Sequence, residues 1–289
     1  MKRFQKLYTL LFSLCLLAFS AYALMDTFVI SRIYASAEAS EEAVKYSASA
    51  EVSNTQDSDA AQIQISEYRV NDTTVYVADI RLSSASQLKT AFANSSYGRN
   101  ITADTSDTAA AVGAVLAING DNYGSREKGY VIRNGILYRN TAAKNQEDLV
   151  IYADGSFEII SEAEISAQEL LDDGAVHVFS FGPGLVENGS LIVDTSDEVD
   201  RAKASNPRTA IGILAENHYV FVVSDGRTEE SKGLTLYELA EFMQSLGVQA
   251  AYNLDGGGSS TMVYQGSVVN RPTSGRRIDE RAVTDILYI

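Results

Sequence analysis

Of 289 residues, 38 are acidic and 23 basic, giving a formal net charge of −15. No basic patch offsets that balance, which argues against a nucleic-acid partner, because nothing would neutralise the phosphates. One cysteine and two histidines exclude a disulfide framework and leave too few ligands for a zinc site.

Lys2, Arg3 and Lys6 precede an apolar run from Leu7 to Met25, which Asp26 ends. As a helix this run would measure roughly 28 Å, about the thickness of a bilayer's hydrocarbon core. Basic residues before it and Glu38, Glu41 and Glu42 after it place the bulk of the chain outside the cytoplasm. The expectation is a single-pass signal-anchor over residues 1–30, meeting the membrane through residues 7–25. A cleaved signal peptide ending at Ala21-Tyr22-Ala23 is the alternative. Cys15 lies inside the run, so the exported part must fold without disulfides. Residues 31–62, rich in Ala, Ser, Glu and Asp, read as a flexible stalk, with a helical piece around Ala35 to Val44 as a variant of that reading.

From Ile63 the pattern turns to strands. Ile63 to Val70 and Thr74 to Leu82 flank Asn71-Asp72 as a hairpin, and Ser86 to Ala93 reads as a short helix. Ala111 to Ile118, apolar without alternation, reads as a buried central strand ending in Asn119-Gly120-Asp121. Asn134-Gly135, Asp154-Gly155 and Asn188-Gly189 are hairpin turns between β-branched and aromatic residues. Ser166 to Leu171 is a short helix with Glu169 completing a capping box. Thr209 to Leu214 and His218 to Ser224 pair around Glu216-Asn217. Thr235 caps an amphipathic helix whose buried face is Leu236, Leu239, Ala240, Met243 and Leu246. That helix feeds the apolar run Val248 to Leu254, and Gln265-Gly266 and the segment Ala282 to Ile289 close the chain with a hairpin and a last strand. Residues 63–289 are therefore expected to form one α+β domain, a strand-rich mixed sheet with two or three helices.

The most informative stretch is Asn253-Leu254-Asp255-Gly256-Gly257-Gly258-Ser259-Ser260-Thr261-Met262. Three glycines let the backbone approach a ligand, and successive N–H groups can form a concavity for an anion. Four acids stand at the ends of apolar runs or beside glycines: Asp121, Asp225, Asp255 and Glu280. Each alone is more often a turn residue than a catalyst, but together they offer the two carboxyl groups that glycoside cleavage typically uses. Arg208, Arg227 and Arg281 lie close to them in sequence, and a guanidinium fork fits phosphate. The plain alternative for each arginine is a surface ion pair. His218 reads as a packed strand residue. Oxygen-ligated Ca²⁺ or Mg²⁺ at Asp121, Asp225 or Asp255 is compatible with the residue types, without EF-hand spacing. No metal ligand or cofactor is assigned.

Ala117 to Asp121, Asn206-Pro207-Arg208-Thr209-Ala210-Ile211-Gly212, Asp225-Gly226-Arg227, the glycine loop and Glu280-Arg281 occur in one order. In this order they resemble the phosphodiester glycosidase family over roughly residues 100 to 289. The resemblance implies hydrolysis of a glycosyl-1-phosphodiester on the sugar side, leaving a phosphomonoester. It implies Asp121, Asp255 and Glu280 as catalytic candidates. Asp121 and Asp255 would act as acid, base or nucleophile, and Glu280 would orient them. Arg208 and the loop Gly256, Gly257, Gly258, Ser259 and Ser260 would hold the phosphate, with Asn119, Asp225, Arg227 and Arg281 binding or orienting the substrate. The partner implied is a sugar phosphodiester or a cell-wall or capsular polymer outside the cytoplasm. A non-catalytic glycan- or phosphate-binding module, or a transferase in envelope polymer assembly, would use the same pocket differently.

Overall fold

The computed structural model describes residues 2–36, 61–193, 204–275 and 277–289. Helix α1, Lys2–Phe28, contains the apolar stretch Phe4–Phe28, with mean hydropathy 2.0 and no burial against the rest of the chain. By length and composition it can cross a membrane. The chain after it departs from the expected stalk. Arg32–Ser36 is a strand, paired antiparallel with Ser96–Arg99. Gly98 permits this close approach, since a Cβ there would collide with the carbonyl of Arg32. Asn100 reinforces it, donating through Nδ2 to the carbonyls of Thr27 and Ile30. The remainder of the stalk and most of the Ala35 to Val44 segment lie outside the described residues.

Three sheets share one core. The largest has seven strands in the order Ser190–Leu191, Gly184–Glu187, Ala250–Asn253, Arg208–Ala215, His218–Ser224, Thr73–Arg81 and Gln62–Val70. A five-stranded sheet runs Ser267–Val268, Met262–Tyr264, Leu116–Asn119, Asp285–Tyr288 and Lys89–Phe92. The other runs Phe157–Ser161, Glu147–Tyr152, Ala175–Phe179, Val131–Arg133 and Ile136–Arg139. Ile80, Phe221 and Tyr252 of the first sheet, Leu116 and Ile118 of the second, and Leu149 and Phe179 of the third pack into a single cluster. Each outer face is covered by a helix. Helix α2 (Thr105–Val112) lies over Ala117, Val263 and Ile286. Helix α3 (Ala167–Asp172) lies over Ile132 and Val178. Helix α4 (Leu236–Ser245) lies over Val77, Val186 and Val222. The strand-rich α+β class is the one expected, and the pairings among the described strands are antiparallel, a narrower arrangement than a mixed sheet.

Local chemistry explains most elements. Asn71 and Asp72 both take positive φ, as a two-residue hairpin turn demands. Ser166 and Thr235 each close a capping box with the glutamate three residues on. Two expectations fail. Ala111 and Val112 end helix α2, which Gly113 terminates at φ 67°, so only Leu116–Asn119 of that run is a strand. An unalternating apolar run cannot by itself separate a helix end from a buried strand. The expected helix over Ser86 to Ala93 is a single 3₁₀ turn, Ala85–Gln87, followed by the edge strand Lys89–Phe92. That segment pairs with the distant strand Asp285–Tyr288, and its pairing overrides local preference.

Candidate active site

Strand Ala250–Asn253 lies inside the large sheet, flanked by Gly184–Glu187 and Arg208–Ala215, and Leu254 leads from it to Asp255. The chain then turns through a 3₁₀ turn at Gly257–Ser259. Each glycine makes room for a named neighbour. A Cβ on Gly256 would lie 2.9 Å from the Pro207 carbonyl, one on Gly257 2.7 Å from Nη2 of Arg227, and one on Gly258 3.3 Å from Cβ of Arg281. Gly257 also has φ +66°. The glycines thus let two arginines close on the loop. They do not leave the open row of N–H groups expected for a phosphate. The Gly257 N–H donates to Pro207 O (2.8 Å), that of Ser259 to Gly256 O (3.4 Å) and that of Ser260 to Gly257 O (3.2 Å).

Asp255 is 7% exposed, and its Oδ2 accepts from Ser259 Oγ at 2.6 Å and from Arg281 Nη2 at 3.0 Å. Arg281 Nε also donates to Ser259 Oγ (2.9 Å), closing a three-member ring, while Nη2 reaches Gly256 O (3.0 Å). Burial pushes the Asp255 carboxyl above the usual carboxylate range, and Arg281 and Ser259 oppose that shift. The Arg281 side chain remains 45% exposed, so a ligand can reach it. Arg227 donates to Asn206 Oδ1 through Nε (3.2 Å) and Nη2 (3.1 Å), which holds it over Gly257. A buried carboxylate, a hydroxyl and two guanidiniums therefore meet at one loop.

The other expected residues lie around this centre in other roles. Asp121 is buried and engaged: Oδ2 is ion-paired with Arg133 Nη2 (2.9 Å) and accepts from the Ser180 N–H (2.9 Å), and Oδ1 accepts from the Tyr123 N–H (3.1 Å). Arg133 also binds Asp285 Oδ2 at 2.9 Å, so Asp121 belongs to a buried acid–arginine–acid bridge. Burial raises the Asp285 pKa and Arg133 opposes it. Glu280 accepts from both the N–H and the hydroxyl of Ser106 in the first turn of α2, as an acid at a helix N-terminus does. Asp225 accepts from the Arg271 N–H (2.8 Å) and Asn270 Nδ2 (3.4 Å), fixing a turn, and burial raises its pKa against those bonds. Asp121 and Glu280, expected as catalytic candidates, thus both have their carboxylate oxygens engaged by neighbouring groups.

Asn119 supports the loop from beneath. Its Nδ2 donates to Asp255 O (2.7 Å), and its Oδ1 accepts from Thr209 Oγ1 (2.8 Å) and the Thr261 N–H (3.3 Å). Arg208 packs its side chain along Gly256 and donates to Leu234 O (2.9 Å) and Ala204 O (3.3 Å), so it braces the loop's far side. Ser260 is fully buried. Sequence reasoning missed Asn270, which joins Asp225 to Ser260 O (2.9 Å) and Met262 N (2.8 Å). It also missed the buried pair Arg133 with Asp285, and Arg126. Arg126 Nη1 donates to Ser180 O (2.7 Å). Among the described residues no group of three or more His, Cys, Asp or Glu side chains gathers as for a metal ion. The three aspartates weighed for a cation point to separate partners.

The motif-bearing half of the chain matches known proteins: a family model described as phosphodiester glycosidase covers residues 112–289. The chain belongs to the phosphodiester glycosidase family. Among its relatives, the prophage-derived uncharacterized protein YomE of Bacillus subtilis is 32% identical over 181 residues, 61% of this chain and 28% of the relative. The N-acetylglucosamine-1-phosphodiester alpha-N-acetylglucosaminidase of mouse is 30% identical over 188 residues, 59% of this chain and 36% of the relative. The chain thus spans about a third of the length of these curated relatives. The catalytic domain of the zebrafish enzyme of the same name superposes with TM-score 0.64 at 24% identity, covering 80% of this chain and 82% of that one. A hypothetical protein from Synechocystis superposes at 0.58 with 14% identity, covering 79% of this chain and 61% of that one. These two structures establish the fold of the phosphodiester glycosidase domain here.

Proposed function

We propose that this family member hydrolyses a glycosyl-1-phosphodiester of the N-acetylglucosamine-1-phosphodiester kind, outside the cytoplasm and at the cell envelope. The observation that carries the reading is the buried Asp255 carboxylate tied to Ser259 and Arg281 beneath a loop flanked by Arg227. Water attacks the anomeric carbon and gives its proton to Asp255. The bond from that carbon to the phosphate oxygen breaks with its electron pair, and a phosphomonoester leaves. Phosphate departs far more readily than an alkoxide, so the leaving group needs positive charge more than a proton. Arg227 and Arg281 supply that charge from positions fixed before the reaction. This accounts for a site with one active carboxylate where glycosidases with alcohol leaving groups use two.

The membrane helix and the polymer substrate belong to the same reading. Helix α1 would hold the domain at the outer face of the membrane, near wall or capsular polymers containing sugar-1-phosphate links. The decisive experiment incubates the full chain, in detergent micelles, with a N-acetylglucosamine-1-phosphodiester. Sugar and phosphomonoester released together, with the sugar oxygen labelled from H₂¹⁸O, support the proposal. Transfer of the sugar to an added acceptor in place of water marks a transferase. Binding without release marks a glycan-binding module.

A further inference from the structure

A cavity of about 190 Å³ opens where the strand Arg32–Ser36 pairs with Ser96–Arg99. At roughly 30 Å³ per water it offers room for about six waters, the scale of one sugar unit. Tyr34, Tyr97 and Tyr123 line it together with the guanidiniums of Arg99, Arg126 and Arg139. Tyr97 stacks on Tyr123 with ring centroids 5.0 Å apart, and Tyr34 leans on Tyr97 at 6.0 Å. Glu127 offsets one of these cations, through a 3.2 Å contact with Arg99, and the carboxylate is itself 81% exposed. Nη2 of Arg139 is buried without a hydrogen-bond partner, although Nη1 of the same guanidinium donates to the carbonyls of Tyr123 (3.0 Å) and Arg126 (2.6 Å). A concentration of positive charge in a chain of net −15 is a local feature with a local purpose.

We infer that this cavity is a subsite for an anionic sugar unit, phosphorylated or carboxylated, adjoining the bond cleaved at the glycine loop. The exposed ring of Tyr34, backed by the buried Tyr97 and Tyr123, suits the apolar side of a sugar ring, and guanidinium forks suit its phosphate or carboxylate. Continuity runs through Arg126, which lines the cavity and donates to Ser180 O (2.7 Å); the Ser180 N–H donates to Asp121 (2.9 Å), whose neighbour Gly120 accepts from the Asp255 N–H (3.2 Å). Tyr34 comes from the strand just after the membrane helix, so that segment completes the subsite. The substrate role rests on the hydrolase reading; the binding does not.

Titration calorimetry on the full chain in detergent micelles tests the binding, with N-acetylglucosamine 6-phosphate and glucuronic acid as probes. The wild type is compared with Arg99→Ala, Tyr34→Ala and Asp255→Asn, each first checked for an unchanged melting curve. The expected result is binding of at least one probe, weakened about tenfold or more by Arg99→Ala and Tyr34→Ala and kept by Asp255→Asn. The probe that binds identifies the anion as phosphate or carboxylate. No binding to the wild type, or binding that Arg99→Ala and Tyr34→Ala leave unmoved, overturns the subsite. In turnover, Arg99→Ala should raise KM for a phosphodiester whose neighbouring sugar is charged and leave a substrate with a neutral neighbour unaffected. Probe binding with the expected pattern but no hydrolysis of any phosphodiester would keep the subsite and defeat the hydrolase reading.

Discussion

Asp255 and Asp121 look alike in the sequence, each following an apolar strand and adjoining glycine, yet their surroundings give them different tasks. Asp255 keeps a carboxylate raised by burial beside a half-exposed arginine. Asp255→Asn should lower kcat about 10²- to 10⁴-fold while leaving the melting temperature near that of the wild type. Loss of folding in that variant would make the aspartate a structural turn residue. In the proposed role of base, Asp255 works ionised, so activity should fall as pH drops through its folded-state pKa. Since burial raises that pKa, the acid limb of kcat/KM should lie above the ordinary aspartate value of about 3.9. Arg281→Ala removes the charge that opposes the shift, so the limb should move further up. A limb that stays in place would show that another group governs it. The glycines were legible as a functional loop because three in succession have few other uses. Their geometric purpose, making room for Arg227 and Arg281, was not, because it depends on residues brought in from elsewhere.

Turns and caps are where the sequence spoke most directly, because their chemistry is contained within four residues. Thr235→Ala should destabilise the protein by about 1 kcal/mol in urea unfolding, since its hydroxyl accepts the Glu238 N–H (3.2 Å) while Glu238 returns to the Thr235 N–H (2.8 Å). Glu280 acts at the same scale. Its bonds to Ser106 make it the acid at the start of α2, so Glu280→Gln should lower stability by about 0.5–2 kcal/mol and change kcat only a few-fold. A fall in kcat matching that of Asp255→Asn would return Glu280 to the chemistry. Elements whose partners lie far off were less legible. The strand Lys89–Phe92 owes its form to Asp285–Tyr288, nearly 200 residues away in sequence. Arg32–Ser36, in a segment of stalk-like composition, is ordered by the edge of Ser96–Arg99.

Across the whole molecule, the Asp121–Arg133–Asp285 bridge joins two of the three sheets, since Arg133 and Asp285 stand on different ones. All three side chains are nearly solvent-free, and Arg133 also stacks on Phe179 with 4.2 Å from Cζ to the ring centroid. Arg133→Met would leave two buried carboxylates uncompensated, at about 3–5 kcal/mol in chemical unfolding. Adding Asp121→Asn and Asp285→Asn should recover much of that loss; a triple variant as unstable as the single one would refute the electrostatic account. The bridge also sets the site's geometry, because Asp121 leads out of the strand whose Asn119 holds the Asp255 carbonyl.

The linear sequence by itself determined the strand-rich class, the hairpins, the capped helices, the apolar N-terminal helix and the glycine loop after Asp255. All of these follow from periodicity, turn residues and glycine content, which act over a few neighbours. Tertiary structure alone decided which of four similar acids meets Arg281, and which backbone N–H groups are already bonded. The reason is physical: a carboxylate's role depends on burial and on the charges within a few ångströms, and in this chain those neighbours arrive from strands far apart in sequence.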